Sequence, residues 1–322
     1  MSDGASSATL LDGRMIEKAM STYTAGSDHE LVLPDGRAIS YGLYGAHDGP
    51  LVMVLDGPGS RGIGRAMGPA AERLGIKLLV PDRPGFSRST PTPHGSFATV
   101  ASDLIALVDG LGFARLGIVA QSGGTPYAVA LACAGGDRVT GLAFVGGLAP
   151  LHESGSLRDV GQPMRSLFLL GRHAPWLARP LLSGFARQAA RNPQKVALKL
   201  AENMPPADRE VLSDPAVWEI HASAVAEMFS RPAAWAREAR MLGHPWSVNR
   251  DCITAPAALW VGELDRTHPV SMSQRLATLL GGAPVTVVPG AATFAMLTCY
   301  PDVLRHAAAL PERPAHGEPR LF

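Results

Sequence analysis

The chain has 322 residues, 46% of them hydrophobic and 18% charged, enough to bury a large core in one big domain or in a domain with an insertion. A formal net charge of +1 without runs of Lys or Arg excludes the electrostatic footprint of a nucleic-acid or anionic-membrane binder and leaves a small molecule as the expected partner. Cys133, Cys252 and Cys299 lie far apart with no CxxC or His/Cys spacing, so neither a metal site nor a disulfide framework is expected, and a reducing cytoplasm is the expected compartment.

The opening stretch, MSDGASSATLLDGRMIEKAM, carries Asp3, Asp12 and Glu17 and no apolar run of signal-peptide length. Nowhere do roughly 18 consecutive apolar residues suggest a membrane span. Residues 1–25 are expected to be an N-terminal extension. From Glu30 to Gly45 apolar and polar residues alternate around Pro34-Asp35-Gly36-Arg37, which predicts a β-hairpin. Short continuous apolar runs follow at 51–56, 77–82, 116–121 and 142–147, a pattern that suits strands covered on both faces of a parallel sheet. Helical periodicity separates them, as from Phe97 to Gly112, so the fold class is α/β. Between Pro150 and Asp251 the pattern is helical and interrupted by prolines. Strand patterns resume at 257–262 and 283–290, each followed by a helix. The predicted organisation is an α/β core over 26–150 and 254–310, a helical insertion at 151–253, and a C-terminal tail at 311–322.

The most specific local signal is GIVAQSGGTPYAVALA, residues 117–132, an apolar strand that runs into Ser122 and then at once into a helix of small residues. Ala120-x-Ser122-x-Gly124 has the spacing of a G-x-S-x-G nucleophile elbow with Ala at its first position. Small flanking residues let the chain turn sharply and hold the hydroxyl at the mouth of the sheet, where the N–H groups of the next helix stabilise negative charge. Pro126 suits the first turn of that helix. The alternative is an ordinary strand-to-helix turn that contains a Ser.

A second signal, LVMVLDGPGSRG at 51–62, has two readings. Gly57, Gly59 and Gly62 after a strand, with Asp82 closing the next strand, match a dinucleotide fingerprint, although Pro58 removes an N–H from the loop that would cradle pyrophosphate. In the other reading, the N–H groups of Gly57 and Gly123 converge on an anion above Ser122, and one pocket accounts for both loops. That preferred reading requires no cofactor and no metal.

With these residues in place, the chain resembles an α/β-hydrolase. DGPGS at 56–60 is similar to that family's HGGPGS oxyanion loop, and PDRPGFSRST at 81–90 to its D-R-P-G-x-G-x-S segment. Ser122 falls in its elbow, LWVGELDRTHPV at 259–270 resembles the segment of the triad acid, carried over to Asp265, and PGAATFAML resembles P-G-A-G-H-F. The matches keep family order from Glu30 to Ala309, and the insertion takes the place of the family's helical cap. The resemblance implies a mostly parallel eight-stranded sheet flanked by helices, with Gly57, Gly123 and Gln121 as oxyanion and substrate contacts.

The departures bear directly on function. Thr293 stands where the catalytic His belongs, Ala292 replaces the Gly before it, Leu55 replaces the His of HGGPGS, and Asp56 replaces the Gly after that His. A serine nucleophile needs a neighbouring base, and a Thr hydroxyl can only donate or accept a hydrogen bond. His268, three residues beyond Asp265, is the leading replacement, with an ordinary surface histidine as its alternative; His94, His152, His173, His221 and His244 are weaker pocket candidates. Asp56 reads either as a desolvated carboxyl for proton transfer or as a cap on the loop turn. Trp176, Phe185, Trp218, Phe229 and Trp235 read either as an apolar lid or as plain helix packing.

Loss of the base, with elbow, hole loop and acid retained, predicts an enzyme with a degenerate triad acting through Ser122, Asp56, Asp265 or His268, around Thr293. The expected reaction is non-hydrolytic, a lyase, cyclisation or isomerisation step on a small apolar carbonyl compound. The alternatives are a serine hydrolase of esterase or peptidase type whose base has moved to His268, a ligand-binding pseudoenzyme, and a nicotinamide-dependent oxidoreductase. A monomer or homodimer is expected, with no nucleic-acid or membrane partner.

Overall fold

The computed structural model describes residues 27–311, apart from 58, 93, 154 and 163. The expected N-terminal extension and all but the first residue of the expected C-terminal tail lie outside the described residues.

Strands β1 (Ser27–Val32) and β2 (Ala38–Gly45) form the hairpin that the alternating pattern predicts. Its turn is made by its own residues: Gly36 takes φ 84°, the Leu33 N–H donates to Arg37 O at 2.7 Å, and Asp35 accepts the Arg37 N–H at 3.0 Å. The remaining strands are β3 (Leu51–Leu55), β4 (Lys77–Pro81), β5 (Leu116–Ser122), β6 (Val139–Gly147), β7 (Ala257–Gly262) and β8 (Val285–Val288). They join one eight-stranded sheet in the order β1-β2-β4-β3-β5-β6-β7-β8. Pairing is antiparallel through β1-β2-β4 and parallel from β4 to β8.

Helices cover both faces, which is why the strand sequences are continuously apolar. All five positions of β3 are buried, with Met53 and Leu55 facing one core and Val52 and Val54 the other. The first core includes side chains of α2 (Phe97–Gly110), α3 (Thr125–Gly135) and α10 (Val270–Leu279); the second is built against α1 (Gly62–Arg73) and α11 (Tyr300–Ala307). Helix α2 begins where Ser96 Oγ accepts the Thr99 N–H at 3.1 Å.

Six helices lie between β6 and β7: α4 (Met164–His173), α5 (Pro175–Arg191), α6 (Pro193–Ala201), α7 (Pro206–Val211), α8 (Pro215–Ser230) and α9 (Pro232–Gly243). Pro175, Pro193, Pro206, Pro215 and Pro232 start helices rather than break them, because a first-turn residue needs no N–H partner, while Pro180 is carried inside α5. Asn192 and Asp214 cap two of these starts, accepting the N–H groups of Lys195 at 2.9 Å and Ala216 at 2.8 Å. The inserted helices enclose a core of their own, with Leu182, Phe229 and Trp235 packed together with Phe86 from the α/β part.

One expectation fails. Cys133, on α3, and Cys252, just before β7, are disulfide-bonded, with Cα atoms 4.8 Å apart across a sequence separation of 119. Spacing along the chain carries no information on this pair, because the sheet topology brings together segments that flank the insertion. A reducing compartment consequently no longer follows from cysteine usage. Thiol titration of the unreduced, denatured chain is expected to find one free cysteine, the buried Cys299, and full reduction to release the other two. Closing so long a loop contributes about 4 kcal/mol, so urea unfolding under reducing conditions should show a loss of that order.

Candidate active site

The elbow is set by backbone crowding. Ser122 has φ 50°, in the left-handed region that residues other than glycine avoid, and the surrounding structure over-determines it. The Gly124 N–H donates to Gln121 O at 2.8 Å. A Cβ at Gly124 would stand 1.9 Å from Leu55 O, so only glycine lets the elbow cross the end of β3. Thr125 Oγ1 donates to Ser122 O at 2.8 Å and accepts the Leu148 N–H at 2.9 Å, tying the elbow to the end of β6. Ser122 is half-buried beside Gly57, and among the described residues its Oγ makes no hydrogen bond. Gly123 follows it, buried, at the start of α3.

The loop opposite is organised by Asp56. Its Oδ1 accepts the Gly57 N–H at 2.6 Å, and its Oδ2 accepts the Ile63 N–H at 3.0 Å and the Ser60 hydroxyl at 3.2 Å. Burial pushes the Asp56 carboxyl above the ordinary aspartate range, against the lowering effect of these hydrogen bonds and of Arg83. Asp56 thus combines the two roles considered from sequence: it caps the loop and the first turn of α1, and it is desolvated. The Gly57 N–H is engaged by this side chain rather than directed at an open anion site.

Arg83, quoted within the 81–90 segment but given no role from sequence, holds the same loop from behind. Its Nη1 donates to Asp56 O at 2.8 Å and its Nη2 to Gly57 O at 2.7 Å. The rest of the guanidinium pairs with Glu238 of α9, Nε to Oε1 at 2.5 Å and Nη2 to Oε2 at 3.0 Å. Tyr127 of α3 donates to Glu238 Oε1 at 3.1 Å and places its ring 4.9 Å from the guanidinium. Arg83 and Glu238 are both buried. Asp82, the candidate ribose ligand, is instead saturated: Arg61 Nε donates to Oδ1 at 2.9 Å, Ser40 Oγ to Oδ2 at 2.7 Å, and Arg61 Nη2 also bonds Oδ2.

The acid site brings together Asp265, His268 and Thr293. Asp265 Oδ1 accepts the N–H groups of Thr267 and His268, each at 2.8 Å. Its Oδ2 is shared by Thr293 Oγ1 at 2.9 Å and His268 Nδ1 at 3.1 Å. With Nδ1–H donated to the carboxylate, the imidazole keeps its lone pair on Nε2, which is buried without a partner among the described residues. The ring lies against Gly146, where a Cβ would come within 3.0 Å of Nδ1. The next residue, Gly147, is in register with Ser122 across β5 and β6. Burial acts to raise the Asp265 pKa, but the imidazole of His268 and the hydrogen bonds of His268 and Thr293 outweigh it and hold the carboxyl below the ordinary aspartate range.

From the inserted helices, the Asp208 carboxylate of α7 accepts the N–H of Thr293 at 3.2 Å and of Phe294 at 2.6 Å. His221 of α8 sets its ring edge-to-face on Phe294 at 5.2 Å, and burial lowers its pKa. The other histidines are elsewhere: His94, His173 and His244 are exposed, and His152 lines a separate cleft. Phe229 and Trp235 are packing residues of the inserted core, Phe185 stacks on Phe229, Trp218 donates to Gln194 at 2.8 Å, and Trp176 is exposed.

The profile of the α/β hydrolase fold family matches residues 49–298. The chain belongs to the α/β-hydrolase family. Similar solved structures include a hydrolase from Pseudomonas aeruginosa PA01, 18% identical, covering 87% of this chain and 98% of that one with a TM-score of 0.63. The enol-lactonase from Burkholderia xenovorans LB400 is 17% identical over 86% of this chain and 99% of its own, with a TM-score of 0.61. A thermophilic esterase from Thermogutta terrifontis is 18% identical over 88% and 96%, with a TM-score of 0.59. No curated protein is a match to this sequence. At these identities the structural likeness establishes the fold.

Two outcomes are expected. Glu238→Ala leaves a buried, unpaired guanidinium and should lower unfolding stability by about 3–5 kcal/mol, whereas Arg83→Met combined with Glu238→Leu should recover most of that loss in urea titrations. Because the folded-state pKa of Asp265 lies below its unfolded value, Asp265 adds stability at neutral pH that is lost as pH falls through the folded value. Acid unfolding of Asp265→Asn should accordingly be less steep below the ordinary carboxylate range than that of the unsubstituted protein.

Proposed function

We propose that this α/β-hydrolase-fold protein is a serine-nucleophile enzyme in which His268, oriented by Asp265, replaces the base absent from position 293. The helices between 151 and 253 serve as its cap. The observation that carries the reading is the Asp265–His268 pair: Nδ1 is held by the carboxylate at 3.1 Å and Nε2 is left buried and, among the described residues, unpartnered. Those are the requirements for a general base, an imidazole in the right tautomer with a free lone pair. Thr293 then has a defined task, since its hydroxyl donates to the same Asp265 Oδ2 that takes His268 Nδ1 and so satisfies that oxygen without supplying a base. The substrate class is a small, largely apolar carbonyl compound such as an ester or lactone, bound over Ser122 with Gly123 N–H and Gln121 at its edge.

A fluorophosphonate probe tests this. Ser122→Ala should abolish labelling, His268→Ala should slow it by about a hundredfold or more, and Thr293→Val should leave it within a few-fold. Unchanged labelling in His268→Ala would overturn the assignment.

One observation favours a second reading. The Asp56 carboxyl is desolvated and occupies the Gly57 N–H at 2.6 Å, an arrangement suited to a non-hydrolytic proton transfer with the lyase, cyclisation or isomerisation outcome expected from sequence. Under that reading Asp56→Asn removes turnover of a carbonyl substrate while Ser122→Ala retains it, with product followed by mass spectrometry.

A further inference from the structure

The net charge of the whole chain conceals a local asymmetry on the cap. From Val160 to Ala201 there is no Asp or Glu, while Arg165, Arg172, Arg179, Arg187, Arg191, Lys195 and Lys199 carry positive charge. All seven are exposed, and none forms an ion pair among the described residues. Six of the nine large apolar side chains that the described residues expose lie on the same three helices, α4, α5 and α6. Trp176 is 73% exposed, Leu198 53% and Leu181 49%.

Helical geometry makes this a face rather than a scatter. Helix α5 buries Ala178, Leu182 and Ala189, and Trp176, Leu177, Pro180 and Leu181 lie on the opposite side at i, i+1, i+4 and i+5. On α4, Arg165, Leu169 and Arg172 share one exposed side at i, i+4 and i+7. Beside it opens a cleft of about 360 Å³ lined by His152, Arg158, Arg165 and Arg172, with Glu153 the one acid among its lining residues. The Nδ1 atom of His152 is buried there without a partner among the described residues.

We propose that α4, α5 and α6 form a docking surface for an anionic lipid bilayer, with Trp176, Leu177 and Leu181 entering the interface and the arginine-lined cleft receiving a lipid phosphate. Exposed aromatic and aliphatic side chains interleaved with unpaired cations are the composition of an interfacial helix. Nucleic acid would match the cations but not the leucines. A second copy of the chain would bury Trp176 yet bring seven more cations against the first seven. The inference concerns a surface outside the catalytic residues and stands independently of the reading of Ser122.

Sedimentation of the full chain with vesicles tests it. Binding to phosphatidylcholine mixed with phosphatidylglycerol should exceed binding to phosphatidylcholine alone by at least roughly tenfold and should weaken as salt is raised. The triple variant Arg165→Glu, Arg172→Glu, Arg179→Glu should lose the preference for anionic vesicles, and Trp176→Ser with Leu181→Ser should weaken binding by about tenfold. The substituted side chains are exposed, and circular dichroism together with an unchanged urea unfolding midpoint checks that each variant is folded. Equal binding to both vesicle types, full binding by the charge-reversed variant, or no vesicle binding by the unsubstituted chain would overturn the proposal. So would a dimer in analytical ultracentrifugation that dissociates on Trp176→Ser.

Discussion

The carboxylate of Asp265 is buried, and a buried carboxylate is tolerated only when its oxygens are satisfied. Four donors meet it: two backbone N–H groups of its own loop, the Thr293 hydroxyl and the His268 imidazole. The backbone donors fold the loop back and put His268 within reach of Asp265, so the geometry of the proposed base follows from the solvation of this carboxylate. Thr293 completes the set from the segment after β8, where an imidazole from that segment would compete with His268 for the same oxygen. Asp265, His268 and Thr293 are thus one electrostatic unit, and its position relative to Ser122 comes from the parallel register of β5 with β6 and of β6 with β7.

Around this unit the inserted helices grip the core through three carboxylates, each from a different helix. Asp208 takes two N–H groups beside Thr293, Glu227 pairs with Arg65 and accepts the Arg61 N–H at the start of α1, and Glu238 pairs with Arg83. Ion pairs of this kind are poor sources of net stability when buried, because desolvation offsets most of the attraction. What they supply is registry. Arg83 has two donors committed to the carbonyls of Asp56 and Gly57, so the loop facing Ser122 is set only when Glu238 is docked. The gripping carboxylates sit on α7, α8 and α9, whereas the unpaired cations and exposed apolar side chains lie on the other three inserted helices, α4, α5 and α6.

Much of the fold was legible in the sequence because burial on both faces writes itself as uninterrupted apolar runs, and because Pro34-Asp35-Gly36 dictates its own turn. Ser122 was legible from its elbow spacing, and Asp265 and Thr293 from the resemblance of their segments to those of α/β-hydrolases. Contacts between distant segments were not. Arg83 and Glu238 are 155 residues apart and Cys133 and Cys252 are 119 apart, and neither periodicity nor spacing marks such pairs. Asp56 shows a different limit: its identity suited both a loop cap and a desolvated acid, and the structure gives it both environments at once. Net charge shows a third limit, since a sum near zero over the chain does not register seven cations gathered on three helices.

The central claim is that His268 is the group that serves Ser122. A crystal structure of the protein phosphonylated at Ser122 measures this directly. The account predicts His268 Nε2 at about 3 Å from Ser122 Oγ or a phosphonyl oxygen, with Nδ1 still on Asp265. An adduct whose nearest titratable neighbour is the Asp56 carboxyl, with His268 turned away, would contradict it.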